Sequence, residues 1–144
     1  MAADFDGDGK ADLGIYRPST GTWWILRSHT NYTNYSTYQF GISSDVPVVA
    51  DYDGDGLADV AVFRPSSGSW YILNSTTGST SYVGYQVGIG SDLPVPDDYD
   101  GDGKADIAVF RPSNGGWFVL KSSTNFTTYS AYLWGLPTDI ATNK

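Results

Sequence analysis

The chain has 144 residues, a formal net charge of −8, 15% aromatic residues, 17 glycines, 7 prolines and no cysteine. Its 8 Lys and Arg never cluster, which excludes a nucleic-acid interface and a polybasic membrane patch. No apolar run approaches the ~20 residues that span a bilayer, and without cysteine there is neither a disulfide framework nor a thiolate metal site.

The first element is a loop, Asp4-Phe-Asp6-Gly-Asp8-Gly-Lys10-Ala-Asp12. It returns as Asp51-Tyr-Asp53-Gly-Asp55-Gly-Leu57-Ala-Asp59 and Asp98-Tyr-Asp100-Gly-Asp102-Gly-Lys104-Ala-Asp106, each copy 47 residues after the one before. A fixed period in this range marks a repeat architecture. All 16 acidic residues are Asp, and only Asp45, Asp92, Asp97 and Asp139 lie outside the loops. Carboxylates so closely spaced repel one another unless a cation sits among them. A donor set made only of oxygen points to calcium, which takes six to eight oxygens at flexible angles, over magnesium, which demands a stricter octahedron. One calcium per loop, three per chain, would bring the formal charge from −8 to −2. The acidity is therefore local ligand charge and not a field for basic partners.

The expected ligands of the first loop are the side chains of Asp4, Asp6, Asp8 and Asp12 and the backbone carbonyl of Lys10. The second loop offers Asp51, Asp53, Asp55 and Asp59 with the carbonyl of Leu57, and the third Asp98, Asp100, Asp102 and Asp106 with that of Lys104. Gly7 and Gly9 let the chain wind tightly enough for positions 1, 3 and 5 to converge, because glycine tolerates positive φ. EF-hand and dockerin loops fail on spacing. They need a ligand at position 12, which here is Ile15, Val62 or Val109 inside an apolar run. Plain Asp/Gly turns would leave the charge unneutralised.

After each loop come Leu13-Gly-Ile-Tyr16, Val60-Ala-Val-Phe63 or Ile107-Ala-Val-Phe110, then Arg-Pro-Ser and a Gly-containing turn. Next are Trp23-Trp-Ile-Leu26, Trp70-Tyr-Ile-Leu73 and Trp117-Phe-Val-Leu120, a Ser/Thr/Asn-rich stretch, and a Tyr-x-x-Tyr run starting at Tyr35, Tyr82 or Tyr129. Each unit closes on a glycine (Gly41, Gly88, Gly135) and an Asp four residues on. These short aromatic or β-branched runs, bounded by Gly, Pro, Ser and Asn, read as strands, and no window sustains a helical period. In the second unit the strands fall at about 45–50, 60–64, 69–74 and 81–88, with the Asp loop joining the first to the second. Four antiparallel strands per unit of this length are the signature of a β-propeller blade. The expected fold is all-β: one repeat domain over 1–144, with blades at about 1–44, 45–91 and 92–138 and a closing strand at 139–144.

The order of aromatic/apolar-Gly, apolar strand, Asp loop, apolar strand and x-Pro resembles the FG-GAP repeat, with which VCBS repeats are related. Phe40-Gly41 matches its first half, with Val87-Gly88 and Trp134-Gly135 as variants, while Tyr16-Arg17-Pro18, Phe63-Arg64-Pro65 and Phe110-Arg111-Pro112 replace the GAP half. The resemblance covers essentially the whole chain. It implies a calcium-binding propeller like those of integrin α chains and bacterial surface proteins, and a metal of structural purpose.

Trp23, Trp70 and Trp117 share one register and are expected between blades, whereas Trp24 and Trp134 break the repeat and are candidates for stacking on sugars. Arg17, Arg64 and Arg111 are expected to pair with carboxylates of the Asp45 type or with backbone carbonyls, and His29 reads as a solvated loop residue. Residues ahead of the second loop, Asp45-Val-Pro-Val-Val-Ala50, have a counterpart in Asp139-Ile-Ala-Thr-Asn-Lys144 at the far end. Propellers close with four to eight blades, so the expectation is a head-to-tail homodimer of six blades, with a nine-bladed trimer as the outside option. The function expected is a non-catalytic calcium-binding scaffold or interaction module. The alternative is a lectin-like propeller binding glycans, with a protein ligand also open. No nucleophile–base pair stands outside the loops. Calcium sites of this kind fill where calcium is abundant, so the expected location is extracellular or the cell surface.

Overall fold

Each apolar run that follows an Asp loop becomes the second strand of a four-stranded antiparallel sheet in the computed structural model, which describes residues 2–142. The first sheet is β1 (Ala2–Ala3), β2 (Asp12–Arg17), β3 (Thr22–Leu26) and β4 (Tyr35–Gln39), paired in chain order. The second is β5 (Val46–Pro47), β6 (Val60–Arg64), β7 (Ser69–Leu73) and β8 (Tyr82–Gln86). The third is β9 (Leu93–Pro94), β10 (Ile107–Arg111), β11 (Gly116–Leu120) and β12 (Tyr129–Leu133). These are the three blades. The Ser/Thr/Asn stretches form single 3-10 turns at Ser28–Thr30, Ser75–Thr77 and Ser122–Thr124.

The repeat is kept in register down to the pair. Tyr16 faces Trp23, Phe63 faces Trp70 and Phe110 faces Trp117 across the second and third strands, with ring centroids 4.9, 5.4 and 5.0 Å apart. Each indole N–H then donates to a carbonyl just past the fourth strand: Trp23 to Phe40, Trp70 to Val87 and Trp117 to Trp134. An indole buried this way contributes its large apolar area without leaving its one donor unpaired.

The core lies between blades, not within them. Phe5, Trp23 and Ile25 of the first blade pack against Val60, Val62 and Leu73 of the second. Phe63, Trp70 and Ile72 of the second pack in turn against Ile107 and Val109 of the third. Alternate residues of a strand point to opposite faces, so β6, with a neighbouring blade on each side, is buried from Val60 through Phe63. The β2 strand buries only alternate positions, because its second face has no neighbour.

One expectation needs correction. The first strand of a unit is shorter than 45–50: its ladder covers only Val46–Pro47, because Pro47 has no N–H to extend it and the chain turns toward the Asp loop. A Val48 N–H to Ala61 bond and an Ala50–Asp59 bridge continue the contact. The segment expected as the closing strand pairs with no strand of its own chain over residues 139–142, and residues 143–144 lie outside those described. Its Ala141 packs against the third blade instead.

Candidate metal centres

Each Asp loop hangs between the first and second strands of its sheet and is pinched at the base by a bridge: Ala3 to Asp12, Ala50 to Asp59 and Asp97 to Asp106. Above the pinch, loop positions 4 and 6 are glycines with φ of 80 and 81° in the first copy, 81 and 85° in the second, and 80 and 88° in the third. That left-handed backbone turns both amides onto the carboxylate at position 1. The two oxygens of Asp4 accept from Gly7 and Gly9 at 2.6 and 2.9 Å. Asp51 does the same with Gly54 and Gly56 at 2.6 and 2.8 Å, and Asp98 with Gly101 and Gly103 at 2.6 and 3.0 Å. The backbone bonds from Gly103 and then Gly101 hold the Asp98 carboxyl below the usual carboxylate range.

Position 9 anchors the loop from beneath. Asp12, Asp59 and Asp106 are fully buried. One oxygen of each accepts from the residue after position 1 (Phe5, Tyr52 or Tyr99, at 2.8, 2.8 and 3.0 Å). The other accepts from the first residue of the 3-10 turn (Ser28, Ser75 or Ser122, each at 2.7 Å). Even with these donors, burial pushes the Asp59 carboxyl up to about 6, and the nearby Asp53 charge adds to the rise.

Position 3 has a partner that the sequence reading missed. Asp6 Oδ2 lies 2.6 Å from His29 Nδ1, Thr76 Oγ1 donates to Asp53 at 2.7 Å and Ser123 Oγ to Asp100 at 2.5 Å. His29 is exposed, as expected of a solvated residue, but it is also engaged with Asp6. It sits in the 3-10 turn against the metal loop, at the register of Thr76 and Ser123. The signal was a polar side chain 23 residues after each of Asp6, Asp53 and Asp100. Burial raises the Asp6 carboxyl, but the bond to His29, the backbone bond from Asp8 and the His29 charge together outweigh it, and the net shift is downward. Position 5 is held by two donors: Asp8, Asp55 and Asp102 accept from the N–H of Lys10, Leu57 and Lys104 and from the hydroxyls of Ser28, Ser75 and Ser122.

Oxygens of Asp4, Asp6 and Asp8 come within 4.8 Å of one another, as do those of Asp51, Asp53 and Asp59, and of Asp98, Asp100 and Asp106. Positions 1 and 3 thus meet in all three loops, joined by position 5 in the first and position 9 in the others. Asp12, Asp55 and Asp102 stand outside these triads, engaged by the donors just described. The fit to a hard cation can be tested on the oxygens left over. Among the described residues, Oδ1 of Asp53 and Oδ1 of Asp100 are buried without a hydrogen-bond partner. A buried carboxylate oxygen without a donor is costly, and a cation is what an all-oxygen triad can hold there.

Loops of successive blades are also tied together. The Ala58 N–H donates to the Asp4 carbonyl, and the Ala105 N–H to the Asp51 carbonyl, each at 2.7 Å. Of the three arginines that precede a proline, Arg64 forks onto Asp45 at 2.8 and 2.9 Å and Arg111 onto Asp92 at 2.8 Å on both arms. Arg17 has no such carboxylate among the described residues and lies with its guanidinium 4.2 Å from the Trp24 ring.

A family model described as FG-GAP-like repeat matches residues 4–62, and one described as FG-GAP repeat matches residues 45–84. Together they run from the first Asp loop to the fourth strand of the second blade, more than half of the chain. No curated protein matches it.

Proposed function

Because the chain belongs to the FG-GAP repeat family and is built of three four-stranded blades, we propose that it is a non-catalytic, calcium-binding propeller scaffold that serves as an interaction module. The observation that carries this reading is the pair of buried, donorless oxygens, Asp53 Oδ1 and Asp100 Oδ1, inside carboxylate triads. Asp4, Asp6, Asp8 and Asp12 with the Lys10 carbonyl would hold the first ion. Asp51, Asp53, Asp55 and Asp59 with the Leu57 carbonyl would hold the second, and Asp98, Asp100, Asp102 and Asp106 with the Lys104 carbonyl the third. A bound ion supplies positive charge that neutralises the triad and cross-links the two strands flanking the loop. The chain's own part is to preorganise: glycine amides orient position 1, and the buried Asp of position 9 fastens the loop to the 3-10 turn. Sites of this kind fill best where calcium is plentiful, which supports action outside the cell or at its surface.

The glycan-binding alternative draws less support. Trp24 has one face covered by the Arg17 guanidinium, which leaves less of it open as a sugar platform. Trp134 is 80% exposed, but it stands at the uncovered end of the third blade. A glycan array run in calcium separates a lectin from a protein-binding scaffold.

The test of the metal reading is thermal unfolding in calcium and in chelator. An ion that binds only the folded state stabilises it by roughly 2.7 kcal/mol per site at a hundredfold excess over its dissociation constant. Chelator should therefore lower Tm markedly. Superimposable melting curves would mean that the loops are turns and nothing more.

A further inference from the structure

One register of the repeat changes its residue while the backbone stays the same. Arg27, Asn74 and Lys121 each precede the 3-10 turn of their blade, with φ of −82, −66 and −80° and ψ of 128, 129 and 127°. In the first blade the guanidinium of Arg27 spans the space between the Asp loop and β4. Its Nη1 donates to the Phe5 carbonyl at 3.0 Å, and its Nε and Nη2 donate to Ser36 Oγ at 3.2 and 3.0 Å. Nη2 also donates to the Tyr38 hydroxyl at 3.2 Å.

The second blade keeps most of that cradle and has no cation of its own to fill it. Tyr52 and Tyr85 stand where the first blade has Phe5 and Tyr38, but Asn74 replaces Arg27 and Val83 replaces Ser36. Between these residues and the third blade lies a hollow of about 190 Å³. Asn74 Oδ1 is buried without a hydrogen-bond partner, and its side chain does not cap the turn that it precedes. The Tyr52 carbonyl, counterpart of the one that Arg27 binds, accepts no hydrogen bond among the described residues. Two acceptors without donors thus meet at one hollow, and acceptors left so are costly. Tyr85 and Phe126, packed 4.8 Å apart, add an aromatic wall of the kind that attracts cations. Asp53 brings the charge of the second loop to the same hollow, and that loop would still carry −2 with one calcium among its four aspartates.

We propose that this hollow between the second and third blades binds a guanidinium group presented from outside the chain, in the place that Arg27 fills from within in the first blade. Asn74 Oδ1 and the Tyr52 carbonyl accept its N–H groups, and Tyr85 and Phe126 flank it. A guanidinium suits the site better than an ammonium, because it is planar, weakly hydrated and stacks on aromatic rings. The size fits one functional group, since drug-sized ligands take about 300–1,000 Å³. Both walls belong to blades of this chain, and the exposed Asn125 at the hollow leaves it open to solvent. Lys104 is the opposing charge on the wall. Its stem lies along Gly54 of the second loop, as Leu57 lies along Gly7 of the first, and it leaves Asn74 Oδ1 unpaired. The inference rests on the interaction-module reading and names the chemistry that such a module would receive.

The experiment is an NMR titration of the full chain in calcium with methylguanidinium and, separately, with a blocked glycyl-arginyl-glycine peptide. Both should give saturable shifts at the Asn74 side-chain amide and at Phe126. Tighter binding of the peptide identifies the source as an arginine of a protein partner, and equal affinity identifies it as a small guanidinium compound. Asn74→Leu keeps the size of the side chain and removes its acceptor. It should weaken binding at least about tenfold and leave Tm unchanged or raised. Lys104→Leu installs the residue of the first junction and should tighten binding a few-fold, because a like charge is gone. Shifts that do not saturate, as for a hollow that holds water alone, or binding that neither variant alters, would overturn the proposal. Calcium uptake is measured by calorimetry on the same protein. Uptake without guanidinium binding sinks this inference and spares the metal reading, whereas guanidinium binding without calcium uptake does the reverse.

Discussion

Asp59 is fully buried, with backbone donors from Tyr52 and Ser75 on its two oxygens, and its carboxyl still titrates near 6 without a cation. The folded value lies above the ordinary 3.8 of an aspartate, so the charged form opposes folding at neutral pH, and that opposition fades as pH falls from about 6 toward 3.8. A bound calcium would reverse the sign, because protons would then compete with the ion and acid would release it. A carboxyl NMR titration should place Asp59 near 6 in chelator and well below that in calcium. An ordinary value in both would mean that no cation shares its field. At this scale the sequence revealed the ligand types and their spacing, because four Asp at fixed intervals are local information. It did not reveal His29, Thr76 and Ser123, whose approach to position 3 depends on where the 3-10 turn folds back over the loop. Nor could it say that position 9 would spend both oxygens on backbone donors.

Among the elements, the turn between the second and third strands is the most constrained. Gly21, Gly68 and Gly115 have φ of 63, 63 and 66°, and a Cβ on any of them would strike the carbonyl oxygen of Gly41, Gly88 or Gly135. Gly56 also has positive φ, 85°, but nothing lies within 4 Å of where its Cβ would stand. Gly56→Ala should thus cost only the left-handed strain, about 1–2 kcal/mol, and Gly68→Ala distinctly more, because backbone must move as well. Denaturant melts of the two variants check this, and equal losses would show that the close approach is not a real constraint. The strands themselves were legible because aromatic and β-branched runs between Gly, Pro and Asn admit little else. The first strand of each sheet was overread, since Val46-Pro-Val-Val-Ala50 looks like a full strand until Pro47 interrupts its ladder.

For the molecule as a whole, the blade repeat was plain from the 47-residue period, and the burial of β6 on both faces against one for β2 follows from it. What period alone could not supply is whether the repeat arginines take a carboxylate or a backbone carbonyl, a choice visible only in the forks of Arg64 on Asp45 and Arg111 on Asp92. The central claim remains that three carboxylate triads are cation sites, and one measurement bears on it most directly. Calorimetric titration of the chelator-stripped chain with calcium should give three ions per chain, one for each triad, with uptake reduced by one in Asp53→Asn. A stoichiometry near zero, or uptake unchanged by Asp53→Asn, would contradict it.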